Sequence, residues 1–190
     1  MPKSKVVIVG TGMVGMSYAY ALVNQGVVEE LVLIDIDKNR AEGEAMDLNH
    51  GLAFAPRKMH IYAGDYKDAK DADLVVITAG VNQKEGETRI DLLNRNASIM
   101  KSVVNNIMSS GFDGILLVAS NPVDILTYVA KKASNLPANR VIGSGTSLDT
   151  ARLRYEISKK INISVGNIHA YILGEHGDSE FVCWSNAYIG

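Results

Sequence analysis

A six-residue glycine turn, Gly10-Thr11-Gly12-Met13-Val14-Gly15, lies between a β-branched run and a helical pattern, and an acid, Asp35, follows twenty residues on. GxGxxG alone is a weak signal, because glycine-rich turns occur in many loops. The context here narrows it. Val6-Val7-Ile8-Val9 reads as a buried strand, and Val14, Tyr18, Ala21 and Leu22 recur at helical spacing up to Gly26, a plausible helix terminator. Leu31-Val32-Leu33-Ile34 reads as a second strand that delivers Asp35 at its end. In such a unit Gly10 permits the tight turn, Gly12 admits a pyrophosphate close to the backbone, and Gly15 lets the helix pack tightly on the strand. The helix start, with Met13 and Val14, offers unpaired N–H groups to phosphate. Asp35 suits a ribose diol and repels a 2′-phosphate, which favours NAD over NADP, although Lys38 and Arg40 nearby temper that preference.

Composition excludes several other classes. The chain has 190 residues, enough for one large domain or one domain and part of another, and at 47% hydrophobic it can bury a core. Its 19 basic and 21 acidic residues are interspersed, with no basic block to attract nucleic acid. Cys183 is the single cysteine, so neither an internal disulfide nor a CxxC metal site is available, and no metal is expected. No apolar run reaches the length of a membrane span. The opening Met1–Lys5 and Val6–Val9 faintly suggest a signal peptide, but the apolar run breaks at once into the glycine turn, so a cytoplasmic protein is expected.

Strand-like and helical patterns alternate along the chain, which predicts an α/β fold, a doubly wound parallel sheet with helices on both faces. The six expected strands are Lys5–Val9, Leu31–Asp35, Met59–Ala63, Leu74–Thr78, Ile115–Val118 and Arg140–Ile142. Ile90, Leu93, Ala97, Met100, Val104 and Ile107 predict one helix face, widened by Leu92, Ile99 and Val103. Another helix is expected from about Leu148 to Lys160. The polar segment 82–88 has the character of a loop over a site.

Further polar clusters fall where strand ends should gather, the edge at which open α/β sheets bind ligands. They are Gln83 with Arg89, then Asn121-Pro122-Val123-Asp124, then Asp149-Thr150-Ala151-Arg152. Asp149 and Arg152 share a helix face, and a guanidinium can hold a carboxylate through two parallel bonds. Gly174-Glu175-His176-Gly177-Asp178 follows the apolar run Tyr171-Ile172-Leu173, which sets His176 at a strand end. A lone histidine is more often structural than catalytic, but glycine flanks at a strand end favour proton exchange, with a nearby carboxylate fixing the tautomer.

Taken with the glycine fingerprint and Asp35, the motifs Gln83-Lys84-Glu85-Gly86-Glu87-Thr88-Arg89, Asn121–Asp124, Leu148–Arg152 and Gly174–Asp178 resemble those of the lactate/malate dehydrogenase family, and the resemblance spans essentially the whole chain. It implies a Rossmann NAD-binding domain over residues 1–143 and the start of an α+β catalytic domain over 144–190. It also implies hydride transfer between NADH and pyruvate to give L-lactate, in fermentation and glycolysis, with another 2-hydroxyacid or malate as the alternative substrate. The catalytic residues implied are His176 as proton donor and acceptor, Asp149 as its partner, and Arg89 polarising the carbonyl from a closing loop. Substrate contacts implied are Gln83, Arg89, Asn121, Asp124 and Arg152, where a neutral Gln83 favours a methyl-sized tail over the second carboxylate of malate. NAD contacts implied are Gly10, Gly12, Met13, Val14, Gly15, Asp35, Arg40, Tyr66, Gly80, Val81, Ser102, Ala119, Asn121 and Ser144. Arg154 and His169 match positions that bind the activator fructose 1,6-bisphosphate at a subunit interface, which implies a homo-oligomer, tetrameric in this family.

The chain departs from the family pattern in two places. Glu85 stands where many relatives carry proline, and the sequence stops at Gly190, within the expected second domain. If these residues are all that exists, the cofactor domain is expected to survive better than catalysis, with apolar residues such as Tyr171, Ile172, Leu173, Phe181, Val182 and Trp184 short of packing partners.

Overall fold

The computed structural model describes residues 4–82, 84–177 and 179–190. Strands β1 (Lys5–Val9), β2 (Glu30–Ile34), β3 (His60–Ala63), β4 (Leu74–Ile77), β5 (Ile115–Val118) and β6 (Val141–Gly143) form one sheet in the order β3-β2-β1-β4-β5-β6. Every pairing within it is parallel. The order reverses direction between β1 and β4, which makes the edge above those two strands a topological switch point.

The apolar runs in these strands are continuous because both faces are covered. Val7, Val9, Val32, Ile34, Val75, Ile77, Leu116 and Val118 pack on one side against Met100, Val103, Val104 and Ile107 of α3 (Arg89–Ser109) and Leu126 and Ala130 of α4 (Val123–Ser134). Val6, Ile8, Leu31, Leu33 and Val76 pack on the other side against Ala19, Leu22 and Val23 of α1 (Met13–Gln25) and Ala45 and Leu48 of α2 (Lys38–Gly51).

All six expected strands form, but several ends shift by a residue. Asp35 and Thr78 leave the ladder because their side chains are engaged in the turn region, where the Thr78 hydroxyl donates to the Gly10 carbonyl at 2.8 Å. Arg140 belongs to a 3-10 turn after Pro137 rather than to β6. The face expected for α1 is rotated. Val14 is 58% exposed, and the buried residues are Gly15, Ala19, Leu22 and Val23. Gly15 opens that face because the helix start lies almost on the turn: a Cβ on Gly15 would stand 2.0 Å from the Gly10 carbonyl oxygen. In α3 the expected face holds from Met100 to Ile107, while Ile90, in the first turn, is 69% exposed and Asn96 is buried. Helix α2 carries few apolar residues, and only Ala41, Ala45 and Leu48 are buried.

Beyond the sheet, α5 (Ser147–Ile161) is followed by two short antiparallel pairs. One joins β7 (Ile168–His169) to β10 (Tyr188–Ile189), and the other joins β8 (Ile172–Leu173) to β9 (Phe181–Val182). Two threonines tie this part together: the Thr146 hydroxyl donates to the Ile172 carbonyl at 2.7 Å, and the Ile172 amide donates to the Thr150 hydroxyl at 3.0 Å. Of the six apolar residues expected to lack packing partners, Tyr171, Leu173, Phe181 and Trp184 are exposed, but Ile172 and Val182 are half-buried, because they face each other across the β8–β9 pair.

The close approach of α1 to its own turn generates a stability prediction. Gly15→Ala forces a methyl group into the Gly10 backbone, and overpacking of this kind costs roughly 1–3 kcal/mol. Urea unfolding should show a loss of that size, whereas Gly12→Ala, whose added Cβ meets nothing within 4 Å, should lose less. Equal stability of the Gly15→Ala and native chains would contradict the packing described.

Candidate functional site

The strand ends gather at one edge, and backbone hydrogen bonds continue beyond each strand to align the loops there. Gly10 donates to Ile34 O at 2.8 Å, Gly64 to Leu33 O at 2.9 Å, Thr78 to Val9 O at 2.9 Å, Ala119 to Ile77 O at 2.9 Å and Ser144 to Val118 O at 2.9 Å. This edge therefore carries Gly10–Gly15, Asp35 with Arg40, Tyr66, Gly80 with Val81, Ala119 with Asn121, and Ser144. Ser102 lies on α3 rather than at a strand end, and it is exposed.

The residues of the edge fit a dinucleotide. Gly10 has φ +105°, open to glycine, and a Cβ there would meet the Ala79 amide nitrogen at 2.7 Å. Gly12 is the N-cap of α1 with no side-chain cap, and space is open where its Cβ would stand. The first turn of α1 thus presents its N–H groups outward, as an anion requires. Burial disfavours a charge on Asp35, yet hydrogen bonds from the Thr11 and Asp37 amides and the Thr11 hydroxyl, with the Arg40 charge, hold its carboxyl below the usual range. Burial, then the negative charge of Asp35, raises the Tyr66 phenol, so Asp35 and Tyr66 share one environment. A cavity of about 340 Å³ adjoins Asp35, lined also by Lys38, Ala41, Tyr62 and Gly64.

Thr11 and Ile36 are additions that the sequence pattern did not single out. Thr11 occupies a variable position inside the fingerprint. Ile36 is fully exposed directly after Asp35, and an apolar side chain offered to solvent at a strand end is the signal that could have found it.

The second cluster is built by α5 and the loop after β8. Asp149 lies in the first turn of α5, only 6% exposed, and its Oδ2 is 2.6 Å from Nδ1 of His176. A carboxylate only accepts, so Nδ1–H is the donor and Nε2 is left for other work. Burial pushes the Asp149 carboxyl up, but the hydrogen bond and charge of His176, with lesser help from Glu180 and Arg152, bring it below the ordinary range. Arg152 reaches Asp149 Oδ1 at 3.4 Å while its own side chain is 65% exposed, so most of its guanidinium stays available.

Asp124, expected among the substrate contacts, uses Oδ2 to accept the His176 amide at 2.9 Å and so anchors the loop that carries the imidazole. Glu180, missed by the sequence reading, lies 3.8 Å from His176 Nδ1 and accepts the Gly177 amide at 3.2 Å. Asp149, His176 and Glu180 each offer a ligand atom within 4.8 Å of the others. The short His176–Asp149 hydrogen bond makes this first an acid–base pair.

Arg89 is the first residue of α3, directly after the loop, and it is exposed. Thr88 caps that helix, with Asp91 returning the bond. The loop is held by two residues of α3 that sequence reasoning missed. Asn96 Oδ1 accepts the Val81 amide at 2.9 Å, and Arg95 donates to the Asn82 carbonyl at 2.7 Å and to Glu87 at 3.0 Å. Gln83 and Asp178 lie outside the described residues. Arg154 donates to the Ala170 carbonyl at 3.0 Å and stands over the Tyr171 ring at 4.7 Å, while His169 stacks on Tyr188 at 4.4 Å. Among the described residues, no helix is long and apolar enough to cross a membrane.

Comparison with known proteins fits this geometry. Residues 4–143 match the family model described as lactate/malate dehydrogenase, NAD binding domain, and residues 146–190 match lactate/malate dehydrogenase, alpha/beta C-terminal domain. The L-lactate dehydrogenase of Geobacillus sp. (strain WCH70) is 60% identical over 187 residues, covering 98% of this chain and 59% of that protein. L-lactate dehydrogenase 2 of Enterococcus faecalis is 59% identical over 186 residues, with coverages of 98% and 59%. The chain thus spans about three fifths of the length of the curated relatives it matches. A lactate dehydrogenase from a Medee basin deep-sea metagenome library superposes with a TM-score of 0.98 at 80% identity, covering all of this chain and 60% of that one. The ligand-bound minor L-lactate dehydrogenase of Enterococcus mundtii gives 0.98 at 55% identity, with the same coverages, and its ligand-free form gives 0.90 at 53%, covering all of this chain and 59% of that one. The chain belongs to the lactate/malate dehydrogenase family.

Proposed function

We propose that this chain carries the NAD-binding half and the acid–base pair of an NAD-dependent L-lactate dehydrogenase, which interconverts pyruvate and L-lactate. The observation that carries the reading is the 2.6 Å His176–Asp149 bond, in a chain whose glycine turn and Asp35 fit a dinucleotide. The division between cofactor and substrate units falls at 143/144.

The bound nicotinamide cofactor supplies hydride chemistry, and the chain's own residues manage charge and the proton. Asp149 accepts from Nδ1 and stabilises the imidazolium, so Nε2 of His176 gives its proton to the pyruvate oxygen and takes it back from lactate. Arg152 pairs with the substrate carboxylate. Arg89 and Asn121 stabilise the charge that develops on the carbonyl oxygen, and segment 82–88 excludes water above them. Gln83, being neutral, leaves a methyl-sized tail unopposed and gives no counter-charge to the second carboxylate of oxaloacetate. Asp124 keeps the His176 loop in register. Dinucleotide contacts come from Gly10, Gly12, Met13, Val14, Gly15, Asp35, Arg40, Tyr66, Gly80, Val81, Ser102, Ala119, Asn121 and Ser144. Arg154 and His169 suit an anionic activator such as fructose 1,6-bisphosphate between subunits of a homotetramer, in a cytoplasmic fermentative step of glycolysis.

A second reading is favoured by the exposed Tyr171, Phe181, Trp184 and Tyr188. On that reading these residues form a dinucleotide-binding unit without turnover. Assaying NADH oxidation with pyruvate, in this chain and in a chain extended to the length of its relatives, separates the two.

In the extended chain His176→Ala should lower kcat by roughly a hundredfold or more, the usual worth of a positioned acid–base group, while NADH affinity changes little. Retention of most of kcat would remove His176 from proton transfer. Asp149 gives a further test by pH. Because its folded carboxyl titrates below the ordinary value, its contribution is complete above about pH 3.9 and is lost as pH falls through the lowered value. The stability difference between native chain and Asp149→Asn should therefore be largest near neutrality, at about 1–3 kcal/mol, and shrink in acid. A difference independent of pH would show that the Asp149 charge contributes nothing.

A further inference from the structure

Thr11 is fully buried in the middle of the glycine turn, and a buried hydroxyl is costly unless it is hydrogen-bonded. It does not cap α1, whose N-cap Gly12 has no side-chain bond. Instead both polar groups of Thr11 that can donate reach sideways to the next strand end. Its amide donates to Asp35 Oδ2 at 2.7 Å and its hydroxyl to the same oxygen at 2.9 Å. The Asp37 amide donates to Oδ1 at 3.0 Å. A carboxylate offers about four acceptor positions, so roughly one remains for a ligand. The carboxylate is held in one orientation before any ligand arrives, and pre-ordering of this kind saves the cost of fixing it on binding.

We propose that Thr11 is a positioning residue for dinucleotide selection: its hydroxyl holds Asp35 in the orientation that accepts a ribose hydroxyl and opposes a phosphate ester at the same place. The inference rests on the NAD reading above and adds to it a residue that touches Asp35 rather than the ligand. Valine at this position keeps the bulk of threonine and replaces the hydroxyl with a methyl group, and serine restores the hydroxyl. A residue that merely stabilised the turn would weaken both dinucleotides alike, because the turn faces the pyrophosphate they share. A residue that orients Asp35 acts on the ribose alone and so changes the ratio of the two affinities.

The test is fluorescence titration of the chain with NADH and with NADPH, for the native sequence, Thr11→Val and Thr11→Ser. Loss of one charge-assisted hydrogen bond should raise the Kd for NADH roughly five- to tenfold in Thr11→Val, leave that for NADPH within about twofold, and so lower the selectivity ratio by a similar factor. Thr11→Ser should restore the native ratio. Thr11→Ala provides a second variant, read by the same ratio, should valine fail to fold. A native preference for NADH that survives the loss of the hydroxyl unchanged, or an equal loss for both dinucleotides, would overturn the proposal alone. A native chain with no preference for NADH would overturn the cofactor reading and this proposal with it.

Discussion

The parallel register of β1 with β2 and β4 is the constraint on which the rest depends. Val9 pairs with Ile34 on one side and with Ile77 on the other, so three strands end level with one another. Beyond the strand ends Gly10 still donates to Ile34 O and Thr78 to Val9 O, and the turn then meets the Asp35 carboxylate through Thr11 and the Thr78 hydroxyl through Gly10 O. A one-residue slip would reverse the faces of every strand side chain and separate Asp35 from Thr11 at once. The burial of both sheet faces under α1, α2, α3 and α4 makes that slip prohibitive, and the core thereby sets the geometry of the site.

The acid–base cluster is assembled differently, by cross-links between short elements rather than by a core. Asp124 at the start of α4 holds the His176 amide, Asp149 at the start of α5 holds its ring, and Thr146 and Thr150 grip Ile172 between them. A buried Asp149 retains its charge because the imidazole compensates for its lost hydration, and a more remote cation could not do so as well. The imidazole itself stays about a third exposed.

Most of the sheet was legible because strands buried on both faces must be apolar throughout, and Lys5–Val9 and Ile115–Val118 match residue for residue. The face of α1 was only partly legible: Leu22 is buried as expected, but the contact with the turn is made by Gly15, which carries almost no hydropathy signal. Asn96 was hidden for the opposite reason: a polar residue on an apolar stripe reads as solvent-facing until the amide it binds is known. His176 and Asp149 could be paired only through motifs, because 27 residues separate them and no local periodicity links a helix start to a later loop. Thr11 escaped notice because the fingerprint is defined by its glycines, while the hydroxyl that orients Asp35 sits at a position the pattern leaves open.

The central claim is that the level ends of β1 and β2 form a pre-ordered dinucleotide site within these residues. Amide NMR of the chain during titration with NADH tests it most directly. The account predicts that the largest shifts fall on Gly10–Gly15 and Asp35–Asp37, with α5 and the residues after it changing least. Shifts confined to segments away from the sheet edge, or none at all, would contradict it.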